Sequence, residues 1–99
     1  MKAILPTFVI SALMPHYSGR IEFNQPRIDN WIGKHRSFAS RDWIRSQVSW
    51  GIWIPVKDNQ FKVEAIVAEG VYPVRVTIIL YKHRDYVLVY HAHCHGRKR

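Results

Sequence analysis

The sequence predicts an α+β domain in which a C-terminal meander of three antiparallel strands and an N-terminal hairpin pack on one main helix. Apolar residues recur with the period of a helix over Ser40–Trp50, and after Pro55 they recur with the period of a strand. Hydrophobic residues make up 47% of the 99 residues, which is enough for one core and too many for a disordered chain. Because a chain of this length rarely divides, we expect residues 1–99 to fold as a single domain.

The N-terminal hairpin is predicted from two short segments. Lys2–Leu13 is typical of a strand that is broken at Pro6 or confined by it to a sheet edge, because proline donates no backbone hydrogen bond. A cation before an apolar stretch also begins a secretory signal, but Pro6 interrupts the stretch and no Ala-x-Ala cleavage sequence follows, which favours a strand. In Arg20–Asn24 the residues alternate, with Ile21 and Phe23 on one face, and this segment is the expected second arm.

The main helix is predicted over Ser40–Trp50. Ser40 is a favourable N-cap residue, and Asp42 places a negative charge in the first turn, where it complements the helix dipole. One face of this helix carries the apolar residues Trp43, Ile44 and Val48. The segment Gln25–Gly33 is ambiguous, and Pro26 could open a second, shorter helix there.

The strand period continues through three segments, which are Phe61–Glu69, Pro73–Tyr81 and Tyr86–His95. A four-residue turn over Lys82–Asp85 joins the last two segments. In the simplest register Leu80 faces Val87, and Val76 faces His91. Both faces of the last two strands are largely apolar, so we expect the helix to cover one face and the N-terminal hairpin or a second subunit to cover the other.

The net charge and the cysteine content indicate which partners and which cellular compartment the protein is expected to have. Fifteen Lys and Arg against seven Asp and Glu give a formal net charge of +8, which raises the affinity for polyanions such as nucleic acid. The single cysteine, Cys94, forms no internal disulfide, which favours a reducing, intracellular location. No apolar stretch approaches the roughly 20 residues that cross a bilayer, so no membrane partner is expected. A homodimer is expected because the second sheet face is too apolar to face water.

Nucleic-acid binding through the phosphate backbone, without strong sequence specificity, is the leading functional hypothesis. The basic residues form three groups, at the start of the main helix, at the tip of the last hairpin and at the C-terminal end of the chain. A helix N-terminus flanked by arginine suits phosphate, because free backbone N–H groups and guanidinium groups converge there. The predicted contact residues are Lys34, Arg36, Arg41, Arg45, Lys82, Arg84, Arg97, Lys98 and Arg99.

The histidines near the end of the chain offer two other chemistries. His91, His93 and His95 alternate along a predicted strand, so their imidazoles point to one face and are weak candidates for metal ligands. No further ligand can be placed beside them, and no metal or other cofactor is expected. Histidine also suits both proton transfers of a metal-independent ribonuclease. In that alternative the catalytic residues are His91, His93, His83 and Arg84.

The order of the predicted elements resembles that of the RelE-type toxin ribonucleases, with an early strand, a helical middle and a terminal antiparallel sheet that carries basic residues on its last strands. This resemblance implies RNA cleavage. A third alternative is a structural subunit without catalytic activity. The chain has no Gly-rich phosphate loop, no Cys-x-x-Cys pair and no Gly-x-Ser-x-Gly sequence, so the sequence favours a binding protein over an enzyme.

In composition, the chain resembles the small orphan proteins of filamentous and rod-shaped viruses that infect hyperthermophilic archaea. It has 99 residues, is basic, is rich in Ile, Val, Tyr and Trp, and is poor in Gln and Asn. The resemblance implies an intracellular host setting, a dimer, and a role around viral DNA or RNA.

Overall fold

A mixed five-stranded sheet with two helices on one face forms the framework of the protein. The computed structural model describes residues 15–95. Along the chain the elements are β1 (Arg20–Phe23), α1 (Gln25–Lys34), α2 (Arg41–Trp50), β2 (Ile54–Lys57), β3 (Gln60–Glu69), β4 (Tyr72–Lys82) and β5 (Tyr86–Cys94). In the sheet the strands follow the order β1-β5-β4-β3-β2. The predicted α+β class is confirmed.

Two helices of ten residues each stand where the sequence predicts one main helix. α1 begins where the Asn24 side chain accepts a hydrogen bond from the Arg27 backbone N–H at 3.3 Å, with Pro26 in the first turn. α2 begins in the same way, because the Ser40 hydroxyl accepts from the Trp43 backbone N–H at 3.0 Å. The ambiguous segment therefore forms a full partner of the main helix, and the predicted one-helix arrangement is wrong.

The first strand that the structure describes, β1, pairs in parallel with the last strand, β5. Arg20 lies opposite Tyr86, and Phe23 lies opposite Val89. A parallel pair needs a long connection, which the two helices and three further strands supply. An alternating pattern predicts a strand but carries no information on its partner or direction. The other predicted arm, Lys2–Leu13, lies outside the described residues.

A further strand, β2, extends the antiparallel meander from three strands to four. It forms one edge of the sheet, where Pro55 is tolerated because one side of an edge strand needs no donors. Asp58 and Asn59 form the turn to β3, and Asp58 has a φ of 45°, a left-handed conformation that Asp adopts more readily than most residues. The Asn59 carbonyl accepts from the Lys82 backbone N–H at 2.8 Å, which fixes this turn against β4.

The core lies between the helices and one face of the sheet, which we call the covered face. The opposite face, which we call the open face, carries neither of the two helices. The large side chains with no exposed surface are Ile28, Ile44, Val48, Val63, Val76, Ile78, Leu80, Val87 and Val89. Full burial of a side chain of this kind contributes about 1.5–3 kcal/mol, so this layer holds α1 and α2 on the sheet.

The turn between β4 and β5 is tighter than the sequence predicts. The His83 backbone N–H donates to the Tyr86 carbonyl at 2.8 Å, which leaves two residues in the turn instead of four. Leu80 therefore pairs with Val89 and not with Val87, and the predicted register is wrong by two residues at this end of the hairpin.

Further along the same pair, a β-bulge at Tyr90 moves the register again. Leu80 pairs with Val89, whereas the adjacent Ile79 pairs with His91, so Tyr90 is an extra residue in β5. The predicted pairing of His91 with Val76 is wrong because the tighter turn shifts the register by two residues and the bulge shifts it by one more, which places His91 opposite Ile79. Nothing in the alternation of apolar residues marks the position of the bulge.

Candidate functional site

A cleft lies at the edge of the sheet where β1 ends and α1 begins. β1 pairs with β5 only as far as Val89, and no other strand within residues 15–95 pairs with Tyr90–Cys94 on that side. α1 packs beside this free edge, and the space between them measures about 360 Å³. We call it the histidine cleft, and its lining residues are Arg27, Asn30, Trp31, Lys34, His35, His91, Ala92, His93 and Cys94.

The bulge at Tyr90 decides which side chains face this cleft. Val89, just before the bulge, is fully buried in the core. Unbroken alternation would direct His91 and His93 into the core as well, because side chains of a strand alternate between its faces. The extra residue reverses the alternation, so Ala92, 1% exposed, takes the next core position and the two histidines face away from the core. The orientation of the two histidines therefore depends on Tyr90 being accommodated as a bulge and not as a regularly paired residue.

Three imidazoles form a row along this end of β5. The ring centroids of His91 and His93 are 6.4 Å apart, and those of His93 and His95 are 4.5 Å apart. His95 is held on the open face, where its Nε2 lies 2.9 Å from the Thr77 hydroxyl and that hydroxyl donates to the Glu64 carboxylate at 3.3 Å. His91 and His93 line the cleft, and His93 also borders the open face beside Thr77 and His95.

His91 lies in an environment that disfavours its charged form. Its Nδ1 atom is buried and has no hydrogen-bond partner among the residues that the structure describes. Burial lowers the pKa of His91 below its ordinary value, and the positive charges of Arg27 and His93 lower this pKa further. The imidazole is therefore neutral at neutral pH, which is the form that accepts a proton.

The helix α1 supplies the positive charge of the cleft. Arg27, Asn30 and Lys34 follow one another at intervals of three and four residues, which places them on one face of the helix. The Arg27 guanidinium lies 4.6 Å from the centroid of the Tyr90 ring, a cation–π contact that holds it against β5. None of the ion pairs within residues 15–95 involves Arg27 or Lys34. Both charges are therefore available to an anionic ligand.

An aromatic cluster forms the floor of the cleft and fixes the end of α1. Trp31 is 5% exposed, and its ring centroid lies 5.3 Å from His35, 5.7 Å from Phe38 and 6.2 Å from Trp43. His35 Nδ1 donates to Glu69 Oε2 at 2.9 Å, which joins the end of α1 to the end of β3. These aromatic side chains are therefore packing residues that hold the cleft in shape.

The sequence-based metal candidates are the three histidines at the end of β5. Within residues 15–95 no group of three His, Cys, Asp or Glu side chains is arranged to hold a metal ion. His95 is engaged by Thr77, and burial raises the pKa of the Cys94 thiol, which disfavours the thiolate that a metal requires. The three predicted metal candidates therefore do not form a site as a group.

The predicted basic contact residues are spread over several parts of the surface. Lys34 lines the histidine cleft, and Arg36 follows the C-terminal end of α1. Arg41 and Arg45 lie on α2, where they form ion pairs with carboxylates at 2.6 and 2.9 Å and lie over the ring of Phe23. The remaining C-terminal cations lie outside the described residues, and they are Arg97, Lys98 and Arg99.

The other predicted residues lie at the far end of the sheet. Lys82 ends β4 and Arg84 lies in the turn to β5, whereas the cleft lies at the opposite end of β5. His83, which the ribonuclease alternative places beside His91, stacks instead on Tyr86 with ring centroids 4.6 Å apart. The structure therefore brings His91 and His93 together but places His83 and Arg84 apart from them.

Several cleft residues are absent from the sequence-based set, and two of them are polar residues on the same face of α1 as Lys34. Arg27 and Asn30 were not predicted, although their spacing from Lys34 places all three on one helical face. That spacing is informative only once the segment is known to be a helix and to pack against the end of β5.

No family model matches the chain, and neither a curated protein nor a solved structure matches it. Neither helix in the part of the chain that the structure describes has the length and apolar character needed to span a membrane. The cleft itself, with its charges and its paired imidazoles, is therefore the basis for a functional proposal.

Proposed function

We propose that this protein binds nucleic acid through the phosphate backbone, without strong base specificity, and that the histidine cleft is the binding site. The observation that carries the proposal is the convergence of Arg27 and Lys34 from α1 with His91 and His93 from β5 around one cleft. A formal net charge of +8 attracts polyanions to the molecule as a whole. Guanidinium and ammonium groups then provide the charge-assisted hydrogen bonds that phosphate oxygens accept.

The absence of strong base specificity follows from the groups that line the cleft. Arg27 and Lys34 are suited to phosphates, which are the same in every nucleotide and carry no sequence information. Specific reading of a base edge needs several donors and acceptors in a fixed pattern, and among the lining residues Asn30 is the one amide side chain.

The size of the cleft favours a single strand over a duplex. A volume of about 360 Å³ is near the lower end of the range of small-molecule sites, so the cleft takes one or two nucleotides at a time. A flexible strand can follow the free edge of β5 and place successive phosphates near Arg27 and Lys34, whereas a duplex is too wide to enter. We therefore expect single-stranded RNA or DNA to bind more tightly than duplex DNA.

The test is the salt dependence of binding, measured by fluorescence anisotropy with labelled single-stranded RNA, single-stranded DNA and duplex DNA. The logarithm of the affinity should fall linearly with the logarithm of the salt concentration. Arg27→Ala and Lys34→Ala should each weaken binding and reduce the slope by about 0.7 for a single strand, because each removes about one phosphate contact.

Arg84→Ala is the matched control, because it removes the same kind of charge from the opposite end of β5. It should leave the slope for single strands close to that of the wild type. A loss with Arg84→Ala as large as that with Arg27→Ala would move the site away from the histidine cleft. No binding at low salt would remove the proposal and favour a structural subunit.

A further inference from the structure

We propose that the histidine cleft cleaves single-stranded RNA by internal transesterification, with His91 as the general base and His93 as the general acid. This inference rests on the proposed function, because the strand must first occupy the cleft. It goes beyond that function in assigning a reaction, a substrate class and two catalytic roles.

The geometry of the two imidazoles suits proton transfer on opposite sides of one phosphate. A general base or acid must lie within about 2.6–3.2 Å of the oxygen that it serves, so two groups that act across a phosphate must stand several ångströms apart. The ring centroids of His91 and His93 are 6.4 Å apart, and both side chains line the same cleft. His95 is excluded from either role because it does not line the cleft and because its Nε2 is engaged by the Thr77 hydroxyl.

The division of roles follows from the surroundings of each ring. His91 is half-buried, Arg27 of α1 and His93 of β5 lie close enough to act on its charge, and Lys34 lines the same cleft. Burial, and then the charges of Arg27 and His93, favour neutral His91, which is the form a general base requires. His93 is exposed, so its ring is accessible to the leaving group and to water, and we assign it the general-acid role.

The reaction needs no further reagent. Neutral His91 removes the proton of a ribose 2′-hydroxyl, and the 2′-oxygen forms a bond to the adjacent phosphorus. The bond between phosphorus and the 5′-oxygen of the next nucleotide breaks, and protonated His93 donates its proton to that oxygen. The products are a 2′,3′-cyclic phosphate and a free 5′-hydroxyl, with the proton gained by His91 equal to the one lost by His93.

Arg27 and Lys34 stabilise the charge that develops on the phosphate during this step. The nonbridging oxygens gain negative charge in the transition state, and fixed cations beside them lower its energy. The cation–π contact with Tyr90 holds the Arg27 guanidinium in place before the substrate arrives. The same two side chains therefore serve binding and catalysis.

The test is cleavage of end-labelled single-stranded RNA by the full chain in the presence of EDTA, with products separated on a gel. His91→Gln and His93→Gln should each lower the cleavage rate constant by about 10²–10⁴-fold, the usual contribution of general acid–base catalysis, while binding weakens far less. His83→Gln is the matched control, since this histidine lies at the opposite end of β5, and it should cleave at the wild-type rate. The new 3′ end should be a 2′,3′-cyclic phosphate.

A second substrate keeps the test independent of variant folding. The 2′-deoxy form of the same strand, which has no ribose 2′-hydroxyl at any position, should bind the wild-type protein. It should remain intact because it lacks the attacking hydroxyl. Salt-dependent binding of RNA without any cleavage, or cleavage that survives both glutamine substitutions, would overturn the catalytic inference and leave the binding proposal standing. Absence of binding removes both.

Discussion

At the scale of single residues, the environment of His91 links folding to pH. Burial and the charges of Arg27 and His93 lower its pKa in the folded state, whereas in the unfolded chain it titrates near its ordinary value of about 6.5. Above that pH both states hold a neutral ring, and the stability associated with this residue is fully present. As the pH falls below it, the unfolded chain binds the proton first, and stability is lost until the pH passes through the folded-state pKa.

Replacement of His91 by glutamine should remove this contribution. We expect the free energy of unfolding in urea to decrease more for the wild type than for His91→Gln when the pH is lowered from about 7.5 to about 5.5. The other titrating groups are common to both proteins, so the difference between the two decreases reports His91 alone. Equal decreases would contradict the depressed pKa.

At the scale of elements, the bulge in β5 predicts opposite outcomes for two single-residue deletions. Deletion of Tyr90 leaves Leu80 opposite Val89 and Ile79 opposite His91, so the strand can pair without interruption. Deletion of Ala92 instead moves His93 into a position that is 1% exposed and occupied by a methyl group. A larger, polar side chain there costs both overpacking and desolvation.

We therefore expect the Ala92 deletion to be less stable than the Tyr90 deletion by at least about 1–3 kcal/mol, the usual cost of overpacking a core. Urea denaturation followed by circular dichroism measures both values. Similar losses in the two proteins would show that the extra residue is not where the pairing places it.

The sequence predicts the elements better than it predicts how they pair. Alternating apolar residues indicate β1, β3, β4 and β5, and Ser40 marks the start of α2, because these signals are local. The short strand β2 is missed because Pro55 argues against a strand unless the strand is known to lie at an edge. The parallel direction of β1 and the bulge at Tyr90 depend on contacts between segments far apart in the chain, which no local pattern records.

The cleft is predictable only in part for the same reason. His91 and His93 stand out because two histidines two residues apart on a strand share a face. Arg27 lies in the same cleft because α1 packs beside the free end of β5. The sequence does not predict this position, because it leaves the helical character of that segment ambiguous. Net charge predicts a polyanionic partner, but it does not show which cations converge, and Arg84 illustrates a basic residue that lies far from the cleft.

At the scale of the whole molecule, the expected homodimer stays a prediction, and the structure offers a different surface for it. The open face is polar near the histidines, where it carries Lys62, Glu64 and Arg75. Exposed apolar side chains lie instead along the β2 edge and the residues before it, and they are Trp50, Ile52, Ile54 and Val56. An edge strand with exposed apolar residues is a template for pairing with another chain.

We expect the protein to form a dimer through this edge, with a mass in solution of twice 11.7 kDa. Val56→Lys should shift the protein toward the monomer, because charged residues on an edge strand oppose pairing. Val71→Lys is the control, since Val71 is 86% exposed but lies in the turn between β3 and β4. Light scattering after size-exclusion chromatography measures both. A monomeric wild type would make the homodimer prediction wrong.

Because of the extra residue, the odd-numbered residues of β5 move from one face of the sheet to the other at Tyr90. Before Tyr90 they belong to the interior, as Val87 and Val89 do, and after it they belong to the surface, as His91 and His93 do. If the same residues paired with β4 without the bulge, both imidazole rings would point among the hydrocarbon side chains of the core. Whether a pair of imidazoles on a strand reaches solvent thus depends on which face of the sheet the pair occupies. The spacing between the two histidines does not indicate that face.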